Sequence, residues 1–207
     1  MLMNIINACS LSADHSYFKQ CSEIHSKEIP NGFLPTLGID FLSRLYDSFS
    51  KSKHSFLLLA IEQNKVLGFI AISLNTKNFF KYYLKTKIYW DVFQIPLKVF
   101  GRVFFTKCLD LLKYPFSKKD EEDSFISNSE IFNFCVDSME QGKGVGQALF
   151  LNAMEQLKNN QVRIVKIVTG QSQESAQNFY FKSGAILSHK IKVHNNEESF
   201  VFKYQIK

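Results

Sequence analysis

The sequence of 207 residues predicts an α/β fold, and three observations carry that reading. Strand-like and helix-like segments alternate along the chain, most regularly from residue 130 onward. Two strand pairs, at 55–74 and 185–206, read as antiparallel hairpins. A glycine-rich loop, Gln141-Gly142-Lys143-Gly144-Val145-Gly146, lies between an apolar strand and a helical pattern. Strand, glycine loop and helix together make an anion-binding arrangement. Glycine lets the backbone approach an anion closely, and the first N–H groups of a helix have no intrahelical partner.

Taken in order, residues 3–8 read as a first strand and 14–27 as a helix, which Pro30-Asn31-Gly32 ends. A turn at Pro35-Thr36-Leu37-Gly38 leads into a second helix over 39–49, where Phe41, Leu42, Leu45 and Tyr46 recur at helical spacing. Residues 55–62 and 66–74 are strands joined by a tight turn at Gln63-Asn64-Lys65. Residues 75–119 then change character. They are dense in aromatic residues (Phe79, Phe80, Tyr83, Trp90) and in lysine (Lys77, Lys81, Lys85), and read as two or three helices broken at Pro96. A polar linker over 117–129 follows. The regular part comprises strand 130–137, helix 144–159, strand 162–169, helix 173–183 and strands 185–194 and 199–206.

Hydrophobic content of 45% and charged content of 21% suit one globular domain spanning 1–207. The net charge of +6 leans toward an anionic partner. Cys9, Cys21, Cys108 and Cys135 show no C-x-x-C pairing and no metal spacing, so no metal site is expected. Cys135, inside an apolar strand, reads as a small buried hydrophobe. Met1-Leu2-Met3-Asn4-Ile5-Ile6 lacks a secretory pattern and no apolar run reaches spanning length, so a cytoplasmic location is expected. No nucleic-acid-binding module is recognisable, and no nucleic-acid partner is expected.

The glycine loop follows Cys135-Val136-Asp137, and downstream stand Ala176, Phe179-Tyr180 and Ser183-Gly184-Ala185. In order and spacing these resemble the GCN5-related N-acetyltransferase (GNAT) superfamily, whose cofactor motif is Gln/Arg-x-x-Gly-x-Gly/Ala after a strand ending in Val-Asp. The resemblance covers residues 128–207 well and the N-terminal half more loosely. It implies a mixed, mostly antiparallel central sheet flanked by helices, with 75–119 a helical insertion between the third and fourth strands. The cofactor-binding core would span about 128–185.

What the resemblance implies for chemistry is acetyl transfer from acetyl-CoA to a primary amine, with no metal. Gln141, Gly142, Lys143, Gly144, Val145, Gly146 and Gln147 would seat the pyrophosphate, with Gly144 and Gly146 needed where a Cβ would block the approach. Phe134, Cys135 and Val136 would hold the pantetheine and the thioester carbonyl. Tyr180 matches the family's general acid, and Glu130 stands where relatives often carry a glutamate, the expected base. Gln173 replaces an asparagine that often contacts the cofactor. Asn133 and Phe33 are expected on the acceptor side, and Asp137 is expected to close the turn. The segment 32–46 resembles acetyltransferases encoded among bacterial surface-polysaccharide genes, which suggests an amino-sugar acceptor.

Other readings stay open: a protein N-terminus or lysine as acceptor, or a non-catalytic acetyl-CoA-binding module whose insertion recruits a partner or membrane. For 75–119, aromatic packing on the sheet with lysines in water is preferred. Weak contact with an anionic membrane is the sharper alternative. A homodimer is also allowed.

Overall fold

Period-two alternation decides how the sheet sits between its helices. In the computed structural model, which describes residues 3–11, 15–86, 127–192 and 198–207, Leu57, Leu59 and Ile61 pack on one side of their strand. Phe56, Leu58 and Ala60 pack on the other. A strand buried on both faces needs helices on both, and the chain supplies them.

Strand β1 (Asn4–Asn7) is followed by helices α1 (His15–Glu28) and α2 (Ile39–Lys51). The hairpin β2 (Ser55–Glu62) and β3 (Lys65–Ser73) comes next. Its two-residue turn places Gln63 and Asn64 at φ of 49° and 63°, the paired left-handed conformation that matches strand twist. Helix α3 (Thr76–Thr86) opens the insertion. The regular part is β4 (Glu130–Val136), α4 (Val145–Asn159), β5 (Ile164–Gly170), α5 (Glu174–Lys182), β6 (Ile186–Lys192) and β7 (Glu198–Gln205).

These strands form one seven-stranded sheet in the order β1-β2-β3-β4-β5-β7-β6. Only β4 and β5 pair in parallel. The mixed, mostly antiparallel sheet expected from the sequence is therefore present. On one face lie α1, α2 and α3, with Phe18, Leu42, Tyr46, Phe49 and Phe79 in the core. On the other lie α4 and α5, with Leu149, Phe150, Leu157 and Tyr180.

Two details refine the expected boundaries. β5 begins at Ile164 and not at 162, because Gln161 turns left-handed (φ 59°) and the Val162 N–H donates to Leu157 O at 3.0 Å, closing α4. In α3, Phe79, Phe80 and Tyr83 are buried while Lys77, Lys81 and Lys85 are exposed. Phe79 stacks on Phe49 with centroids 4.1 Å apart. That is the packed arrangement preferred for the start of the insertion. It corrects the membrane-facing reading for these aromatics, because burying them in the protein core leaves them no surface to offer a bilayer. The expected helices around Pro96 and most of the linker lie outside the described residues. So does His194.

Among the described residues no helix is long and apolar enough to cross a membrane, and no cluster of His, Cys, Asp and Glu could hold a metal ion.

Candidate functional site

The parallel pair β4–β5 holds only at Glu130–Lys166 and Ile131–Ile167. Beyond those residues the strands part, while β4 stays paired with β3 as far as Gly68–Val136. The β3–β4 register shifts opposite Phe132, a bulge that bends β4 where the opening begins. The separation leaves one edge of 132–136 without a strand partner. Beside it lies a cavity of about 260 Å³ whose wall includes Ile131, Phe132, Asn133 and Phe134 of β4. His25, Ile29 and residues 32–35 line one side; Thr169, Gln173, Ala176 and Tyr180 line the other.

The glycine loop continues from the open end of β4. Asp137 accepts from the Met139 N–H at 3.0 Å and from Lys27 Nζ at 2.9 Å, closing the turn as expected. The hydrogen bond from Lys27, and then that from Met139, holds the Asp137 carboxyl below its ordinary pKa. From α1, Glu28 accepts from the Ser138 N–H at 2.9 Å. Gln141 donates from Nε2 to Val136 O at 3.0 Å and to Glu28 Oε2 at 3.4 Å, so its amide nitrogen is spent within the protein. Lys143 contacts Glu140 at 3.0 Å.

Gly142 (φ 76°) and Gly144 (φ 86°) occupy the left-handed region that a side chain strains, and Gly144 begins α4 with no side-chain cap. The Ala148 N–H reaches back to Gly144 O at 3.0 Å. The N–H groups of Val145, Gly146 and Gln147 come before that first helical bond and point out of the helix end, with the positive end of the helix dipole behind them. Within the fold itself Gly146 has no need to be small. A Cβ there would lie 3.5 Å from Phe134 and 3.6 Å from Val136, ordinary contact on the side facing β4.

Tyr180 is 4% exposed, lines the cavity, and sits among Phe134, Phe150, Phe179 and Phe202. Burial, and then Cys135, pushes its phenol well above the ordinary range, so it stays protonated. Burial likewise lifts the Cys135 thiol to about 12. It is a packed, unreactive thiol, as expected. Gln173 lines the cavity but spends its Oε1 on the Gly170 N–H at 3.0 Å. Only its Nε2 remains to donate.

Glu130 is not where a base is needed. It is buried at the closed end of β4, 3.3 Å from the equally buried Lys166, and does not line the cavity. The expected base role is corrected accordingly: the parallel register places Lys166 beside Glu130, and the carboxylate is engaged there. Asn133 and Phe33 both line the cavity, and Asn133 Nδ2 is buried without a hydrogen-bond partner.

Sequence reading missed three residues. His25 lines the cavity from α1 and is 2% exposed, and its Nδ1 lies 2.6 Å from the Tyr46 hydroxyl. Burial lowers its pKa to about 4, so the imidazole is neutral. A polar residue on the stripe of Phe18 and Cys21 was the available signal. Thr169 Oγ1, also on the cavity wall, is buried without a partner. Gly68 faces Val136: a Cβ there would stand 2.9 Å from Cys135 O, so glycine is what lets β3 approach the open half of β4.

Comparison with known proteins agrees with this geometry. A search of curated proteins finds no match. Among solved structures, a protein described as a GNAT-family acetyltransferase from Desulfovibrio desulfuricans aligns at 12% identity over 100% of both chains, with a TM-score of 0.63. The ribosomal-protein-S18-alanine N-acetyltransferase of Escherichia coli aligns at 11% identity and TM-score 0.59, over 100% of this chain and 95% of its own. The PaiA N-acetyltransferase of Thermoplasma acidophilum, solved with coenzyme A, aligns at 12% identity and TM-score 0.58 over 99% of both. Residues 124–196 match the family described as acetyltransferase (GNAT) domain, and the chain as a whole has the GNAT fold.

Proposed function

We propose that the protein is an acetyl-CoA-dependent N-acetyltransferase acting on a primary amine. The observation that carries this is the parting of β4 from β5 directly beside the helix end at Gly144. An unpaired strand edge offers amide-like hydrogen bonds to a pantetheine arm, and the outward N–H groups of Val145, Gly146 and Gln147 suit its pyrophosphate. When bound, acetyl-CoA supplies an activated thioester. The backbone of 134–136 holds and polarises its carbonyl, and Gln173 Nε2 can add a donor. Tyr180, kept protonated by burial, gives its proton to the departing sulfur as the C–S bond breaks and the N–C bond forms. The acceptor's ammonium loses one proton to water before the attack, and the proton released from nitrogen as the amide forms restores the Tyr180 phenol.

The acceptor enters between 32–35 and the wall of β4. Phe33 offers an aromatic surface there, and an amino sugar is the acceptor we favour, ahead of other small amines and a protein N-terminus. A homodimer, and a membrane contact through the part of the insertion beyond α3, remain proposals alongside it.

Calorimetric titration with acetyl-CoA, run beside a thiol-release assay over a panel of amines, tests the proposal. Tight binding and turnover are expected, and no binding would overturn it. Tyr180→Phe should lower kcat about 100-fold or more with little change in cofactor affinity, as loss of a general acid does. The engagement of Glu130 with Lys166 favours one second reading, a binding module without catalysis. Tight binding with no turnover on any amine would select it.

A further inference from the structure

Two hydrogen-bond donors are carried by residues that line the cavity, His25 and Asn133, and neither belongs to the acetyl-transfer machinery. Asn133 Nδ2 is buried without a partner, on the strand residue that follows the bulge. The second donor follows from His25. Its Nδ1 lies 2.6 Å from the hydroxyl of Tyr46, a side chain that is 0% exposed. A buried phenol needs an acceptor for its proton, and the one that Tyr46 meets is Nδ1. His25 Nδ1 therefore accepts, and the ring proton of the neutral imidazole sits on Nε2, the nitrogen left for the cavity. The tautomer is thus fixed by a residue one layer deeper. Both groups are N–H donors and both are uncharged.

We propose that Asn133 and His25 form a specificity site for an uncharged oxygen next to the acceptor's amine. An oxygen with two lone pairs can take both N–H bonds at once. Asn133 Nδ2 is already buried and unpaired without ligand, so an oxygen gains a bond there that a bare alkyl amine cannot make. The chemistry required is an amine with a neighbouring neutral oxygen. An amino sugar provides it as a vicinal hydroxyl, and an α-amino amide provides it as a carbonyl. The inference rests on the proposed acceptor side of the cleft, and it deepens that reading by naming what the substrate must carry.

The test is calorimetric titration of the full chain, with and without saturating CoA. Glucosamine is compared with cyclohexylamine, and glycinamide with propylamine. At least one oxygen-bearing amine is expected to bind about 10-fold or more tightly than its partner, the scale on which a site built to hydrogen-bond an oxygen rejects an analogue lacking it. The arm that shows the preference identifies a sugar or an amide as its source. Asn133→Val should bring the ratio close to one. His25→Phe should lower it, and His25→Gln, which keeps a neutral N–H donor, should retain part of it. Equal affinities in both wild-type pairs would overturn the inference. So would an Asn133→Val variant that weakens both members of a pair equally. Failure of CoA itself to bind would count against the transferase reading, and the titrations without CoA would still decide this one.

Discussion

The two halves of β4 share one backbone, one neighbour in β3 and much the same apolar composition, yet they do different things. The closed half, Glu130 and Ile131, is paired on both sides, and Glu130 meets Lys166 at 3.3 Å in the interior. The open half, 132–136, is paired with β3 alone. There the unpaired edge, Asn133 and Tyr180 line one cavity. An unpaired strand edge is normally a liability that a fold covers or charges. Here it lies inside the molecule, between layers of helix, and a ligand is the natural partner for it. The site is thus made less by the residues of β4 than by the departure of β5.

The largest effect should come from breaking the closed half. Lys166→Met leaves the Glu130 carboxylate buried without its cation and should cost about 3–5 kcal/mol in urea denaturation. The double substitution Glu130→Met with Lys166→Met should recover most of that loss, because a buried ion pair and an apolar pair of similar volume are nearly equivalent. CoA affinity of the folded single variant should stay within about twofold, since the change lies away from the open half. A cost below about 1 kcal/mol would show that this pair does not hold the strands together.

Next comes the acid response of the open half. His25 is held neutral, with a pKa of about 4, against 6.5 for a free imidazole. Between those values the unfolded chain binds the proton and the folded one does not. Stability is therefore fully present above pH 6.5 and falls as pH drops toward 4, by about 3 kcal/mol from this group alone. Asp137, whose pKa is lowered mainly by Lys27, adds a loss only at still lower pH, below the ordinary carboxylate range. His25→Phe should flatten the decline between pH 6.5 and 4 in denaturant titrations; an unchanged slope would remove His25 as its source.

Gly68→Ala attacks the open half from behind. Its Cβ would lie 2.9 Å from Cys135 O and 3.1 Å from the Val136 Cα, backbone atoms that cannot give way cheaply. Overpacking of this kind costs about 1–3 kcal/mol. Because the displaced carbonyl belongs to the expected cofactor strand, CoA affinity should fall along with stability. Lost stability with unchanged affinity would mean that the strand does not touch the cofactor.

The contrast between the halves also marks what could be read from the chain. Segment types were legible because period-two and helical spacing are local: β2 runs 55–62 as expected, and α3 hides Phe79, Phe80 and Tyr83 as their spacing suggests. Gly142 and Gly144 marked the loop by residue type, though the left-handed conformation they take was not read from the sequence. The parting of β4 and β5 was invisible, because it depends on how two strands separated by a whole helix come together. The same blindness misplaced Glu130. Its partner follows from the β4–β5 register, which no local pattern encodes. His25 was missed for a related reason: its tautomer is set by Tyr46 on another helix.

The smallest expected effect on stability tests the loop itself. Gly146 lies within α4, and its Cβ would make only ordinary contacts with Phe134 and Val136. Nothing in the folded protein forbids alanine there, and helix propensity favours it by up to about 1 kcal/mol. Gly146→Ala should therefore leave stability unchanged or slightly raised. If CoA affinity nevertheless drops about 10-fold or more, the glycine is small for the ligand's sake, and the helix end is where the cofactor approaches. If affinity is also unchanged, the close approach is made by Gly144 and Val145 alone. Gly68→Ala and Gly146→Ala would then separate two demands on the open half that the sequence writes with the same residue, room for a neighbouring strand and room for a ligand.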